Sequence, residues 1–180
     1  MSRIKLILAV CIMFIMIHNS SASSESLGEL KEKGVYIIEE QSFVTNFESW
    51  GKVKFISGVM DEKMLFFIVD QEGSILYQLP EFSGNDWLFH EIRAISFKDV
   101  NNDKLKDIII IADVITGVGR EGAIPFPICN IYFQQKGGFK RINTLDDQIN
   151  DASKNKDIKM VLEFTKDKVD YINKLLENTK

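Results

Sequence analysis

Four consecutive isoleucines at positions 108–111 constrain the fold of this chain more than any other feature of its sequence. They belong to the segment 107–112, which is apolar after Asp107 and has the length of one β-strand. A continuous run of β-branched residues, with no polar residue at alternate positions, is typical of a strand that is buried on both faces or lies in the centre of a sheet. The run therefore predicts a β-rich domain with a substantial core.

Two further pairs of short runs predict β-hairpins. Residues 64–69 form a continuous apolar run, a turn over residues 70–73 ends in Gly73, and a second run follows at 74–79. In the same way, residues 130–134 and 139–142 flank a turn that contains two glycines. Alternation over residues 52–57 places Val53 and Phe55 on one face of another strand.

Helical periodicity appears at the two ends of this β-rich region. Residues 27–33 predict a short helix that stops at Gly34. Thr144 with Asp147 resembles a capping box that opens a second helix, and Asn155 is a candidate N-cap for a longer one. This longer helix carries an apolar stripe with three- and four-residue spacing, formed by Ile158, Leu162, Thr165, Val169, Ile172 and Leu176.

These patterns predict an α+β fold: an antiparallel meander of about eight strands over residues 35–143, followed by a helical segment over residues 144–180. The simplest role for the C-terminal stripe is to cover one face of the sheet. A dimer seam and a membrane-surface helix are the alternatives. They are disfavoured because the polar face of the helix mixes Lys with Asp and Glu.

Residues 1–22 have the pattern of a secretory signal peptide. Arg3 and Lys5 supply a positive start, an apolar run follows to Ile17, and Ala22 ends a stretch of small residues suited to cleavage. The run from Leu6 to Ile17 would be about 18 Å long as a helix, too short to span ~30 Å of hydrocarbon. We therefore expect a secreted or periplasmic protein without a stable membrane span after cleavage, with residues 23–34 as a leader and short helix. An uncleaved membrane anchor is the second interpretation.

Composition excludes several classes of protein. The 180 residues are 45% hydrophobic and 27% charged, which is typical of a folded domain and argues against a disordered chain. The formal net charge of −4 argues against a nucleic-acid partner, which selects a basic surface. After cleavage only Cys129 and His90 would remain of their types, so zinc frameworks and intramolecular disulfides are excluded.

One loop has the spacing of a cation site. Oxygen-bearing side chains recur at every second position and again four residues later, and Ca²⁺ binds six to eight oxygens at about 2.3–2.6 Å. Three carboxylates within nine residues also repel one another unless a cation neutralises them. The predicted ligands are the side chains of Asp99, Asn101, Asp103 and Asp107, with the backbone carbonyl of Leu105. A solvated turn rich in Asp and Asn is the alternative.

Residues 97–109 resemble the calcium loop of FG-GAP or VCBS-type repeats, which form the blades of integrin-like β-propellers. As in that family, an apolar strand enters the loop and Asp107 opens the next strand. The resemblance implies a weak structural Ca²⁺ ion in one or two propeller-blade-like sheets. It departs from the family in one respect: Lys104 replaces the usual Gly after the third ligand. A single copy also implies that no propeller closes, because a closed ring needs at least about four blades.

Other candidate sites are weaker. His90 and Cys129 are each alone, and a cysteine that opens an apolar strand is expected to be buried. The segment 117–127 starts at Gly117, ends at Pro127 and lacks the ending of a phosphate-binding loop. Arg120 and Glu121 at its tip are the residues to test. Four aromatic residues are expected in the core rather than on a ligand platform: Trp50, Trp87, Phe82 and Phe89.

Two hypotheses for function remain from the sequence. The favoured hypothesis is an exported, non-enzymatic β-rich module with one structural calcium site, which binds an unidentified protein or envelope partner. The alternative is a small secreted hydrolase or hydrolase inhibitor that acts through the segment 117–127. An enzyme must bring an acid, a base or a nucleophile within hydrogen-bond reach of one another, and no sequence pattern marks such a pair.

Overall fold

The computed structural model describes residues 25–117, 119 and 121–178. The predicted signal peptide and Arg120 lie outside the described residues. Within these ranges the four α-helices are α1 Leu27–Glu32, α2 Asn143–Asp151, α3 Ile158–Thr165 and α4 Val169–Glu177. The nine strands in the same ranges are β1 Tyr36–Ile37, β2 Phe43–Phe47, β3 Gly51–Met60, β4 Lys63–Val69, β5 Ile75–Gln78, β6 Leu88–Lys98, β7 Asp107–Ile115, β8 Phe126–Gln135 and β9 Gly138–Arg141.

The strands form two antiparallel sheets. In the first sheet β3, β4 and β5 are consecutive neighbours, and β1 and β2 both pair with β3, at different positions along it. The second sheet has the order β6-β7-β8-β9, so each strand pairs with the next one in the chain. Both predicted hairpins are confirmed as β4–β5 and β8–β9.

The two sheets pack face to face around the main core. Alternate residues of β3 and β4, such as Phe55 and Phe66, meet alternate residues of β7, such as Ile108 and Ile110. Aromatic contacts extend across the interface: the Phe47 and Phe139 rings lie 5.1 Å apart in an edge-to-face arrangement. Side chains at every second position therefore supply the inner face of each sheet.

Helices cover the outer face of each sheet. On the second sheet, Ile109 and Ile111 of β7 pack with buried residues of α2, α3 and α4. On the first sheet, Leu30 of α1 packs against Ile56 and Phe67. The isoleucine run is therefore buried on both faces, as predicted, and all four isoleucines have no exposed surface.

The predicted fold class is confirmed. The protein is α+β and mostly antiparallel sheet, and neither sheet closes on itself within the described residues. Residues 158–177 form the C-terminal helix, in which a 3-10 turn separates α3 from α4. None of the helices in the described ranges has the length and apolar character needed to cross a membrane.

The first helix ends before Gly34 as predicted, whereas both predicted N-terminal caps are wrong. Ile142 precedes α2 and gives no side-chain cap, so Thr144 and Asp147 form no capping box. Asp157 caps α3 by accepting from the Met160 N–H. Asn155 is instead buried, and its amide donates to the carbonyl of Pro127.

Two smaller corrections concern the region around the segment 117–127. Strand β8 already begins at Phe126, because Val114 of β7 pairs with it and extends the ladder beyond the predicted start. Trp87 is 36% exposed rather than in the core, and its ring packs edge-on against the ring of Phe126. Phe82 is buried as predicted, and Trp50 and Phe89 pack partly buried against the core.

Candidate metal site

The predicted calcium loop connects β6 to β7 at one end of the second sheet. Residues 99–106 have no regular structure, and the chain reverses direction through two left-handed residues, Asn102 (φ 59°) and Lys104 (φ 72°). Asn tolerates this conformation, whereas Lys does so at a cost of about 1–2 kcal/mol. Lys104, which stands where FG-GAP or VCBS-type repeats usually have Gly, therefore has a left-handed conformation.

Asp99 and Asp103 hold the turn by accepting backbone N–H groups. Asp99 Oδ1 accepts from the Asp103 N–H at 3.1 Å, and Asp99 Oδ2 accepts from the Lys104 N–H at 2.9 Å. Asp103 Oδ1 accepts in turn from the Leu105 N–H at 2.8 Å. Both aspartates are exposed, and these bonds follow the pattern of side chains that close turns on their own backbone.

Asp107 closes the loop from inside the protein. It is fully buried, and its two carboxylate oxygens accept from the N–H groups of Val100 (2.8 Å) and Gln134 (3.0 Å). Burial raises the pKa of Asp107 to about 7, the two N–H donors oppose the rise, and the charges of Asp103 and Asp99 add to it. Asp107 thus joins the loop to β8.

Asn101 carries the oxygen that has no partner. The residue is 1% exposed, and its Nδ2 donates to Asp103 Oδ2 at 3.0 Å and to Asn173 Oδ1 at 2.8 Å. Its Oδ1 is buried and accepts no hydrogen bond. Because Oδ1 and Nδ2 share one carbon atom, this oxygen lies within a few ångströms of the Asp103 carboxylate. An amide oxygen buried without a donor costs about 1–3 kcal/mol.

The aspartates are not gathered around one point. Within residues 25–117, 119 and 121–178, no group of three or more His, Cys, Asp or Glu side chains is arranged to hold a metal ion. The oxygens of Asp99, Asp103 and Asp107 are turned toward N–H groups instead. Each carboxylate oxygen has a second lone pair, so these bonds are compatible with cation binding. The donor set, all oxygen, suits Ca²⁺ rather than a softer metal.

Asn173 of α4 is a part of the loop's surroundings that the sequence analysis missed. Its Oδ1 accepts from the side-chain amide of Asn101, and its Nδ2 donates to the backbone carbonyl of Asn101 at 3.1 Å. The two residues therefore form a reciprocal pair. A depression of about 380 Å³ lies beside the pair, between the loop and α4. The only indication of this contact in the sequence is that Asn173 lies four positions after Val169. This spacing places a polar residue on the helix face that carries the apolar stripe.

The other candidate residues are not brought together. Cys129 has no exposed surface, as predicted, and burial raises its pKa well above the ordinary thiol value. His90 is exposed on β6. Glu121 is exposed in a short 3-10 turn, and none of the hydrogen bonds or ion pairs of the described residues links it to His90 or Cys129.

Comparison of the chain with protein-family models, curated proteins and solved structures finds no match. The function proposed below therefore depends on the geometry of the loop and on the sequence patterns described above.

Proposed function

We propose that this chain is an exported, non-enzymatic β-rich module that holds one structural Ca²⁺ ion in the β6–β7 loop and binds a protein or envelope partner. The ligands would be the side chains of Asp99, Asn101, Asp103 and Asp107 and the carbonyl of Leu105. The ion would neutralise the three aspartates and hold the turn between β6 and the buried strand β7.

The observation that carries this proposal is the unpartnered oxygen of Asn101. A buried polar atom without a hydrogen-bond partner is uncommon in folded proteins and calls for an explanation such as a water molecule or an ion. Among the described residues Asp113 Oδ1 and Tyr132 Oη also lack a partner, but only Asn101 Oδ1 belongs to the acidic loop. This oxygen lies within a few ångströms of the Asp103 carboxylate. Asp103 is itself held in the loop by its hydrogen bond with the Leu105 N–H. A solvated turn would explain the exposed Asp99 and Asp103, but it would not explain a buried, unsatisfied amide oxygen between them.

Calcium should stabilise the fold through mass action. Lysines at 98, 104 and 106 dilute the negative potential of the loop, and Lys104 holds a left-handed conformation that favours Gly. We therefore expect a dissociation constant of about 10⁻⁴–10⁻³ M, as in extracellular modules. At ~5 mM calcium this affinity corresponds to about 1–2 kcal/mol of stabilisation. The melting temperature should rise by only a few degrees.

The test is thermal melting of the protein and its loop variants in chelator and in ~5 mM calcium, several times the expected dissociation constant. Asp103→Ala should remove the calcium-dependent increase and barely change the melting temperature in chelator, because the loss of its hydrogen bonds with Leu105 and Asn101 is offset by the loss of a repelling charge. Magnesium at equal ionic strength should have a much smaller effect, since it prefers a tighter octahedral site.

Two lysine variants provide a matched comparison. Lys104→Gly and Lys106→Gly remove the same charge from the same loop, and both should bind calcium more tightly. Only Lys104 has a positive φ, so only Lys104→Gly should also gain stability in chelator. If the unmodified protein melts at the same temperature in chelator and in calcium, the ligand assignment fails and the loop is only a turn.

A further inference from the structure

Helix α4 is bound to two consecutive residues of the candidate calcium loop. Val100 belongs to the same buried cluster as Ile172 and Leu176 of α4. The next residue, Asn101, is held by Asn173 through the two hydrogen bonds of the reciprocal pair. The end of the helix is also held to the second sheet, because Lys140 Nζ of β9 donates to the Leu176 carbonyl at 3.1 Å.

Asn173 determines which way the Asn101 amide faces. Both hydrogens of Asn101 Nδ2 are used, one by Asn173 Oδ1 and one by Asp103 Oδ2. Turning the amide over would place its oxygen against these two oxygens, which repel it, and would leave the NH₂ group buried without an acceptor. The contact with α4 therefore keeps Asn101 Oδ1 as the atom that has no protein partner.

We infer that Asn173 is a positioning residue for the ion site and that calcium binding and the docking of α4 are coupled. This inference rests on the proposed calcium site. An ion that binds Asn101 Oδ1 favours the amide orientation that Asn173 also favours, so each event strengthens the other. The effect is reciprocal: calcium protects α4 from detachment, and a docked α4 raises the affinity for calcium.

The coupling is tested by nuclear magnetic resonance on the whole purified protein. Amide shifts of residues 99–107 during a calcium titration give the affinity, and hydrogen exchange of residues 169–177 reports the docking of α4. In the unmodified protein, calcium should slow exchange across α4. Asn173→Ala should weaken calcium binding by roughly five- to tenfold and make exchange across α4 independent of calcium.

Two variants provide controls. Asn178→Ala makes the same substitution at an exposed position just after α4, and it should behave as the unmodified protein does. Asn173→Gln keeps a donor and an acceptor at the end of a longer side chain, and it should restore part of the affinity. This partial recovery separates positioning from a general loss of stability, and it remains measurable if Asn173→Ala fails to fold.

The outcomes distinguish the coupling from the calcium site itself. If the loop amides of the unmodified protein shift with calcium while exchange across α4 does not change, the coupling is overturned and the calcium site stands. The same conclusion follows if Asn173→Ala binds calcium with unchanged affinity. If the loop amides of the unmodified protein do not respond to calcium, the calcium site and the coupling are both overturned.

Discussion

Asp103 and Asp107 lie four residues apart in one loop but have different surroundings. Asp103 is exposed and bonds within the loop, whereas Asp107 is buried and accepts one N–H group from the loop, at Val100, and one from β8, at Gln134. Their spacing in the sequence predicts that both are calcium ligands and does not distinguish them. The difference arises from β8, which brings the Gln134 N–H to Asp107 from 27 residues away.

Asp107→Asn should destabilise the protein even without calcium. An amide has one acceptor oxygen, so the N–H of either Val100 or Gln134 would face an NH₂ group. Loss of one buried hydrogen bond with an unsatisfied donor costs about 1–3 kcal/mol. Urea unfolding in chelator measures this loss, and Asp103→Asn is the matched control, for which we expect less than about 0.5 kcal/mol. Equal stability of the two variants would contradict the structural role of Asp107.

Elements were predicted well where their signals are local. The β4–β5 and β8–β9 turns are marked by glycines that tolerate positive φ, here Gly73 at 97° and Gly137 at 78°. The helix caps were predicted badly, since Asn155 and Asp157 are both good caps and the choice depends on Asn155 reaching Pro127 of β8. Asn173 was missed for a similar reason, because its partner lies 72 residues away.

Strand β8 offers a measure of how tightly the helices cover the second sheet. Cys129 lies on its outer face beneath the helices, and burial, with a smaller contribution from the charge of Asp146, raises its pKa well above the ordinary thiol value. Only the unfolded chain releases this proton near pH 8.5, so stability falls as pH rises above that value.

We expect the free energy of unfolding to fall by about 2 kcal/mol between pH 8 and pH 10 because Cys129 ionises in the unfolded chain and not in the folded one. Urea unfolding at several pH values measures this slope. The variant Cys129→Ala should lack this part of the slope, and comparison with it removes the contribution of other groups that titrate in the same range. If the free energy of unfolding has the same pH slope in the two proteins, or if a thiol reagent labels the native protein rapidly, the helices do not exclude solvent from Cys129.

At the scale of the whole molecule, the described residues form four layers in the order α1, first sheet, second sheet, and the group α2, α3 and α4. The sequence predicted the helices, the covering of one sheet face and every described strand except β2, which has no alternating pattern strong enough to mark it. It did not predict that the two sheets pack face to face, because that contact joins residues such as Phe47 and Phe139. Alternation identifies which residues are buried but not which distant residues they meet.

Export remains a prediction for the chain as a whole, and mass spectrometry of the protein recovered from the cell exterior or periplasm tests it. We expect the mass of a chain that begins near Ser23, because Ala22 ends the stretch of small residues suited to cleavage. A variant with Ala22 replaced by a bulky residue should accumulate the uncleaved form. An intact Met1 in a membrane fraction of the unmodified protein would contradict cleavage.

The order of the strands has a consequence for folding kinetics. Every strand pairs with one that lies one or two strands away along the chain, so the sheets are built from contacts of short sequence separation. Such contacts close small loops and form early, whereas contacts between distant segments form late. The Asn101–Asn173 pair spans 72 residues, and Asn173 lies near the end of the last helix. We therefore expect the ion loop to reach its final shape late in folding, when α4 docks, and after the hairpins of each sheet have formed.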